Sequence, residues 1–207
     1  MEHVIELCRK YGVAVGAHPG YPDRANFGRH EMQLSEDEIQ STVFEQVRTL
    51  GRKAKALGVG LQHVKPHGAL YNVAARDPGV AAAIAQGVAK WDRDLILVGL
   101  YGSTMLEVWR GLGFRIAAEA FVDRGYESDG TLRARAKTGA VITDPEIACR
   151  QALRIIQEHE VISVDGVAVA VRADTLCVHS DTLKVQEILL RLRQQLEGQQ
   201  IVVRQLS

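Results

Sequence analysis

Titratable and aromatic side chains collect where four short apolar runs give way to loops. Val13–Ala17 leads into His18-Pro19-Gly20-Tyr21-Pro22-Asp23-Arg24, and Leu61–Lys65 into Pro66-His67-Gly68-Ala69-Leu70-Tyr71-Asn72. Arg115–Phe121, which carries Glu119, reaches Asp123-Arg124-Gly125-Tyr126, and Thr175–His179 reaches Ser180-Asp181. A structural loop needs the glycines and prolines to turn, but it does not need the titratable groups. Imidazole changes charge near neutrality, so His67 and His179 are candidates for proton transfer, with Asp181 beside them. Lys65, together with Arg24 or Arg124, suits a carboxylate or a phosphate. Lys65 is the stronger of these, because a lysine ending an apolar strand is rarely buried without a partner. An exposed arginine is as readily explained by a surface ion pair. His18, Tyr71, Asn72, Glu119 and Tyr126 complete the set as candidate substrate contacts. For His18 alone a structural hydrogen-bonding role is equally good, and His63 is more ambiguous still.

Two familiar signals carry little here. His179 and Asp181 have a spacing that allows metal binding, but two ligands do not make a site, and no HExxH or cysteine cluster adds to them. Gly58-Val59-Gly60 precedes a strand, lacks the GxGxxG pattern, and is joined by no GxxxxGK[ST] loop.

The groups above can act together only if the elements before them are parallel strands, whose carboxyl ends share one edge. The pattern supports this: short apolar runs alternate with longer amphipathic ones, the rhythm of βα units. Strands are expected at Val13–Ala17, Leu61–Lys65, Leu95–Gly99, Arg115–Phe121, Thr175–His179 and Ile201–Arg204. Helices are expected at Val4–Tyr11, Ser35–Leu57, Pro78–Lys90, Ser103–Gly111, Pro145–Glu158 and Leu183–Leu196. Ser35 and Glu38 fit a capping box, and Asp77-Pro78 and Asp144-Pro145 fit an N-cap followed by proline at the first helical position. Asp165-Gly166 suits a tight two-residue turn in a hairpin over Val161–Val171. The chain thus opens on a helix, in mid-rhythm, before its first strand.

The 207 residues fit one domain spanning 1–207, with a substantial core. Lysine plus arginine and aspartate plus glutamate each number 25, so net charge gives no reason to expect nucleic acid or an anionic membrane as partner. Cys8, Cys149 and Cys177 are sparse and far apart, which reads as free thiols in a reducing compartment. No signal peptide and no run of roughly 20 apolar residues is present, so the expected location is the cytoplasm.

The stretches GAHPGYPDRANFGRHEM, HVKPHGALYN, AEAFVDRGYESDGTLRAR and CVHSDT, in this order between Gly16 and Thr182, resemble the LamB/YcsF family. Its members act as the A component of the ATP-dependent bacterial 5-oxoprolinase. The resemblance implies an α/β fold, a seven-stranded β/α barrel of the glycoside hydrolase/deacetylase type. It implies two further subunits, B and C, that join in opening the lactam of 5-oxo-L-proline to L-glutamate. ATP, with Mg2+, is the implied cofactor, held here or by the partners. An amide in a small ring is a poor electrophile, so phosphorylating its oxygen supplies drive. Lys65 and Arg124 are then expected to stabilise the phosphoryl group, and a base among His67, Asp123, His179 and Asp181 to activate water.

The family's members usually begin with strand motifs resembling DLNCDLGE and NIACGFHAGD, which are not found here, so the barrel is expected to be incomplete at its N-terminus. Two other functions stay open on the sequence. One is a metal-dependent amide hydrolase or polysaccharide deacetylase, suggested by the barrel type. The other is a truncated, non-catalytic binding subunit.

Overall fold

The structure, a computed structural model, describes residues 1–206. The fold is α/β, and its packing divides into two compact units, Met1–Ala117 and Ala118–Ser207.

In the first unit, α1 (Glu2–Tyr11) leads to β1 (Val15–Ala17), α2 (Glu36–Ala56), β2 (Leu61–Val64), α3 (Gly68–Ala74), α4 (Pro78–Ala89), β3 (Ile96–Leu100) and α5 (Thr104–Gly111). β4 (Ile116–Phe121) begins in this unit and ends in the next. β1, β2 and β3 are adjacent and parallel, with Gly16 opposite His63 and Val64 opposite Leu97. The capping box forms: the Glu38 amide donates to Ser35 Oγ at 3.3 Å, and the Ser35 amide to Glu38 Oε2 at 2.8 Å. Asp77 takes the Gly79 amide at 2.8 Å, as an N-cap before proline should.

β3 reads ILVGL and is buried along its whole length, which is why it shows no alternation of polar and apolar residues. α2 buries Ile39, Val43, Val47 and Ala54, and lies so close to α4 that a Cβ on Gly87 would stand 2.6 Å from the Gln40 carbonyl. Trp109 is fully buried and donates its indole N–H to Ala81 O at 2.8 Å, joining α5 to α4.

In the second unit, the end of β4 pairs in parallel with β7 (Thr175–Cys177), Glu119 opposite Thr175 and Phe121 opposite Cys177. α6 (Pro145–Gln157) and α7 (Val185–Gly198) supply Ala148, Cys149, Ala152, Ile188, Leu192 and Leu196 to a core that includes Val122. Asp144 caps α6, accepting from the Glu146 amide at 2.8 Å.

β5 (Glu160–Ile162) and β6 (Ala168–Ala170) form the antiparallel hairpin. Its turn differs from the expected one: Gly166 N–H donates to Ser163 O at 2.9 Å and Gly166 has φ +80. The central residues are therefore Val164 and Asp165, and the glycine follows them in the left-handed conformation.

Among the described residues the parallel strands are thus five, β1, β2, β3, β4 and β7, in an α/β fold. Two elements differ from expectation. Ile201–Arg204 forms no strand. Instead Ile201 N–H returns to Leu196 O at 2.8 Å, satisfying a carbonyl of the helix end, while Val202 and Val203 are exposed. α3 is a helix the sequence pattern does not signal, because it has only seven residues and begins at His67 without a side-chain cap. Among the described residues, no helix is long and apolar enough to cross a membrane.

Candidate functional site

Each unit carries one group of the expected residues at its strand ends. In the first, the parallel ladder of β1 and β2 continues past both strands. Lys65 N–H donates to Ala17 O at 2.9 Å, and His67 N–H to Pro19 O at 2.8 Å. This extension sets His18 and His67 side by side, with Nδ1 of His67 3.0 Å from Nε2 of His18 and the rings edge-to-face. Nδ1 of His18 lies 2.7 Å from Lys65 O, and Nε2 of His67 lies 2.7 Å from Phe27 O.

Phe27 and Gly28 both have left-handed backbones, φ 56 and 66, which swing the loop back over α3. Ala69 N–H then donates to Gly28 O at 3.0 Å, and a Cβ on Gly68 would stand 2.5 Å from that same oxygen. Glycine is required there by the close approach. The Lys65 ammonium lies 5.9 Å from the centre of the buried Tyr71 ring, a cation–π distance. Arg24 and Asn72 are exposed on the same unit.

His63 is explained by its neighbour across the ladder. Its ring occupies the space a side chain at position 16 would fill, with Nε2 2.1 Å from where a Cβ on Gly16 would be. Burial, and then the nearby Lys65 charge, hold its imidazole below the ordinary pKa, so it stays neutral.

In the second unit, Asp123 is fully buried and accepts from every side. His179 Nδ1 lies 2.9 and 3.1 Å from its two oxygens, the His179 backbone N–H donates at 2.9 Å, and Thr182 Oγ donates at 2.5 Å. Burial works to raise the carboxyl's pKa, but the hydrogen bonds from His179 and Thr182 outweigh it and the net shift is downward. With Asp123 ionised and the His179 ring neutral, the ring's proton sits on Nδ1 and its lone pair on Nε2. The ring is stacked against Phe121, 5.4 Å between centres, and its side chain is 24% exposed. Chemically, a carboxylate–imidazole pair of this kind can work as a general base held in one tautomer and one orientation.

The remaining candidates of this unit serve it in other ways. Arg124 is buried and donates from Nε to Ala140 O at 2.9 Å and from Nη2 to Arg133 O at 2.6 Å, bracing its own loop. Burial, then Arg135, lower its pKa to about 10, which still leaves it charged. Tyr126 is buried, its oxygen accepts the Phe121 N–H at 2.8 Å, and burial raises its pKa, so it remains a phenol. Glu119 is buried on β4. Asp181 lies 3.7 Å from Arg135.

Two further residues of this group do not stand out in the sequence. Thr182 has a weak signal in its place just beyond the His179-Ser180-Asp181 run. Gln151 on α6 has none, although its amide lies 2.8–3.2 Å from the carbonyls of Phe121, Val122 and Arg124 and ties the β4 loop to the helix. Among the described residues, no group of three or more His, Cys, Asp or Glu is placed to hold a metal ion.

The chain is similar to known proteins over nearly its whole length. The chain is 48% identical over 204 residues to a protein of Chloroflexus aggregans named as the A component of 5-oxoprolinase, covering 99% of this chain and 81% of that one. It is 41% identical over 203 residues to a protein of the same name from Clostridium beijerinckii, covering 98% and 80%. The solved structure of a lactam utilization protein from Thermus thermophilus superposes with a TM-score of 0.90 at 46% identity, over 98% of this chain and 81% of that one. The family model described as LamB/YcsF matches residues 1–207, and the chain belongs to the LamB/YcsF family.

Proposed function

We propose that the protein is the A component of an ATP-dependent 5-oxoprolinase, a hydrolase that opens the cyclic amide of 5-oxo-L-proline to L-glutamate in the cytoplasm. The observation that carries the chemistry is the buried Asp123 carboxylate hydrogen-bonded to Nδ1 of His179, which puts the neutral ring's lone pair on Nε2. In this reading Nε2 takes a proton from water, the water oxygen bonds to the lactam carbonyl carbon, and the C–N bond breaks with a proton delivered to the nitrogen. The relatives' shared name, with identities of 41% and 48%, supports the substrate.

That name designates one subunit of several, which supports assembly with further subunits, here proposed to be B and C. Among the described residues, the two cations expected to meet a phosphate have other partners. Arg124 directs Nε and Nη2 to its own loop's carbonyls, and the Lys65 ammonium lies over the Tyr71 ring. In this proposal ATP and its Mg2+ are held by the assembled complex. The test is reconstitution: this protein, purified with the two partner subunits, should form glutamate from 5-oxoproline only when ATP is added, and omission of any one of the three should stop it. A complete complex that forms none overturns the proposal.

A further inference from the structure

Four ring nitrogens meet in the loops after β1 and β2, and the two outer ones face groups that can only accept. Nδ1 of His18 is 2.7 Å from the Lys65 carbonyl, and Nε2 of His67 is 2.7 Å from the Phe27 carbonyl. At those distances each nitrogen must carry a proton, because a lone pair there would oppose the carbonyl's own. The two inner nitrogens, Nε2 of His18 and Nδ1 of His67, are then 3.0 Å apart. If both rings were neutral, two lone pairs would meet; if both were imidazolium, two N–H groups would collide. One proton between the inner nitrogens resolves both conflicts.

We infer that His18 and His67 hold a single proton between them and act together as one fixed positive charge, an anion-attracting element rather than a base. The unit spends backbone strain to keep this arrangement. Phe27, whose carbonyl holds the outer nitrogen of His67, is a non-glycine residue at φ 56, a conformation that costs about 1–2 kcal/mol. The strand-end ladder fixes the other carbonyl, since Lys65 is itself bonded to Ala17. The charged and titratable groups nearby include Lys65 after β2 and Tyr71 on α3 beneath its ammonium, Glu45 on α2, which lines one cavity with His18, and Tyr21, Asp23, Arg24 and Arg29 in the loop after β1. With its nitrogens so engaged, the pair leaves general-base work to His179, and an anionic ligand approaching these loops meets the pair's charge in addition to that of Lys65.

The direct test is a long-range proton–nitrogen NMR spectrum of the 15N-labelled full chain near pH 7.5. Three of the four nitrogens should be protonated, with the inner proton shared. Two protonated nitrogens, or all four, would overturn the inference. A second readout is net charge by native electrophoresis at pH 8, where a lone histidine of pKa near 6.5 is only about 3% charged. His18→Gln should lower the net charge by one, because the shared proton leaves with the ring, whereas His30→Gln, at an exposed site, should leave it unchanged. Equal mobility of His18→Gln and wild type refutes the shared proton. The wild-type NMR spectrum decides the matter alone if the variant does not fold.

Discussion

Replacing Asp123 by asparagine changes one atom and reverses the proton logic around it. In the wild type three donors converge on the carboxylate: Nδ1 of His179 at 2.9 Å, the His179 backbone N–H at 2.9 Å and Thr182 Oγ at 2.5 Å. An amide offers one oxygen and one NH2. The oxygen is claimed by the backbone N–H, which cannot be reversed, so the NH2 faces Nδ1. Nδ1 must then accept, its proton moves to Nε2, and the lone pair that would take a proton from water disappears.

Because this exchange of tautomer re-satisfies most partners, the stability loss should be modest, about 1–3 kcal/mol for the weakened charge-assisted bonds. That corresponds to a melting point lower by roughly 2–4 °C per kcal/mol in a chain of this size. The rate of 5-oxoproline hydrolysis by the reconstituted complex should fall much further, by about 10³–10⁴-fold, the scale expected when an imidazole base is held in the wrong tautomer. The assay pairs that rate with the imidazole nitrogen shifts of His179. A variant whose Nε2 stays unprotonated, or one that turns over at near-normal rate, would refute the assignment of His179 as an oriented base.

Three further outcomes follow from the same structure. Gly16→Ala places a Cβ 2.1 Å from the His63 ring and should cost about 1–3 kcal/mol in a thermal melt, with part recovered when His63 is also made alanine. His63 has a folded-state pKa below its unfolded one, so the unfolded chain binds more protons as pH falls below about 6.5. Stability should therefore fall between pH 7 and 5, and less so in His63→Gln. Asp123, shifted down from 3.8, adds its own loss only at lower pH still. A pH profile identical in His63→Gln and wild type would contradict this. Gln151→Leu strips the donor from three carbonyls around the β4 loop and should destabilise by about 1–3 kcal/mol, measured by denaturant titration.

What could be read from the sequence was what repeats locally. The capping box at Ser35 and Glu38, the Asp-Pro helix starts and all five parallel strands to within two residues at each end follow from short-range pattern, the caps because their hydrogen bonds join residues close in the chain and the strands because their apolar runs are local. The clustering of His, Asp, Arg and Tyr at strand ends was equally visible. Ile201–Arg204 reads as a strand in the sequence but forms none, because an apolar run after a helix can fold back onto that helix's last turn as easily as it can pair in a sheet.

Tertiary structure alone decided what each side chain does. Residues 49 positions apart became the His18–His67 pair, and residues 56 apart the His179–Asp123 pair. Arg124 directs two of its donors to its own loop, and Gln151 acquires three carbonyls from a strand end far along the chain. Residue type and spacing announce that chemistry is possible. Tautomer, charge and partner depend on which carbonyl or carboxylate lies within 3 Å, and only the packed chain sets that distance.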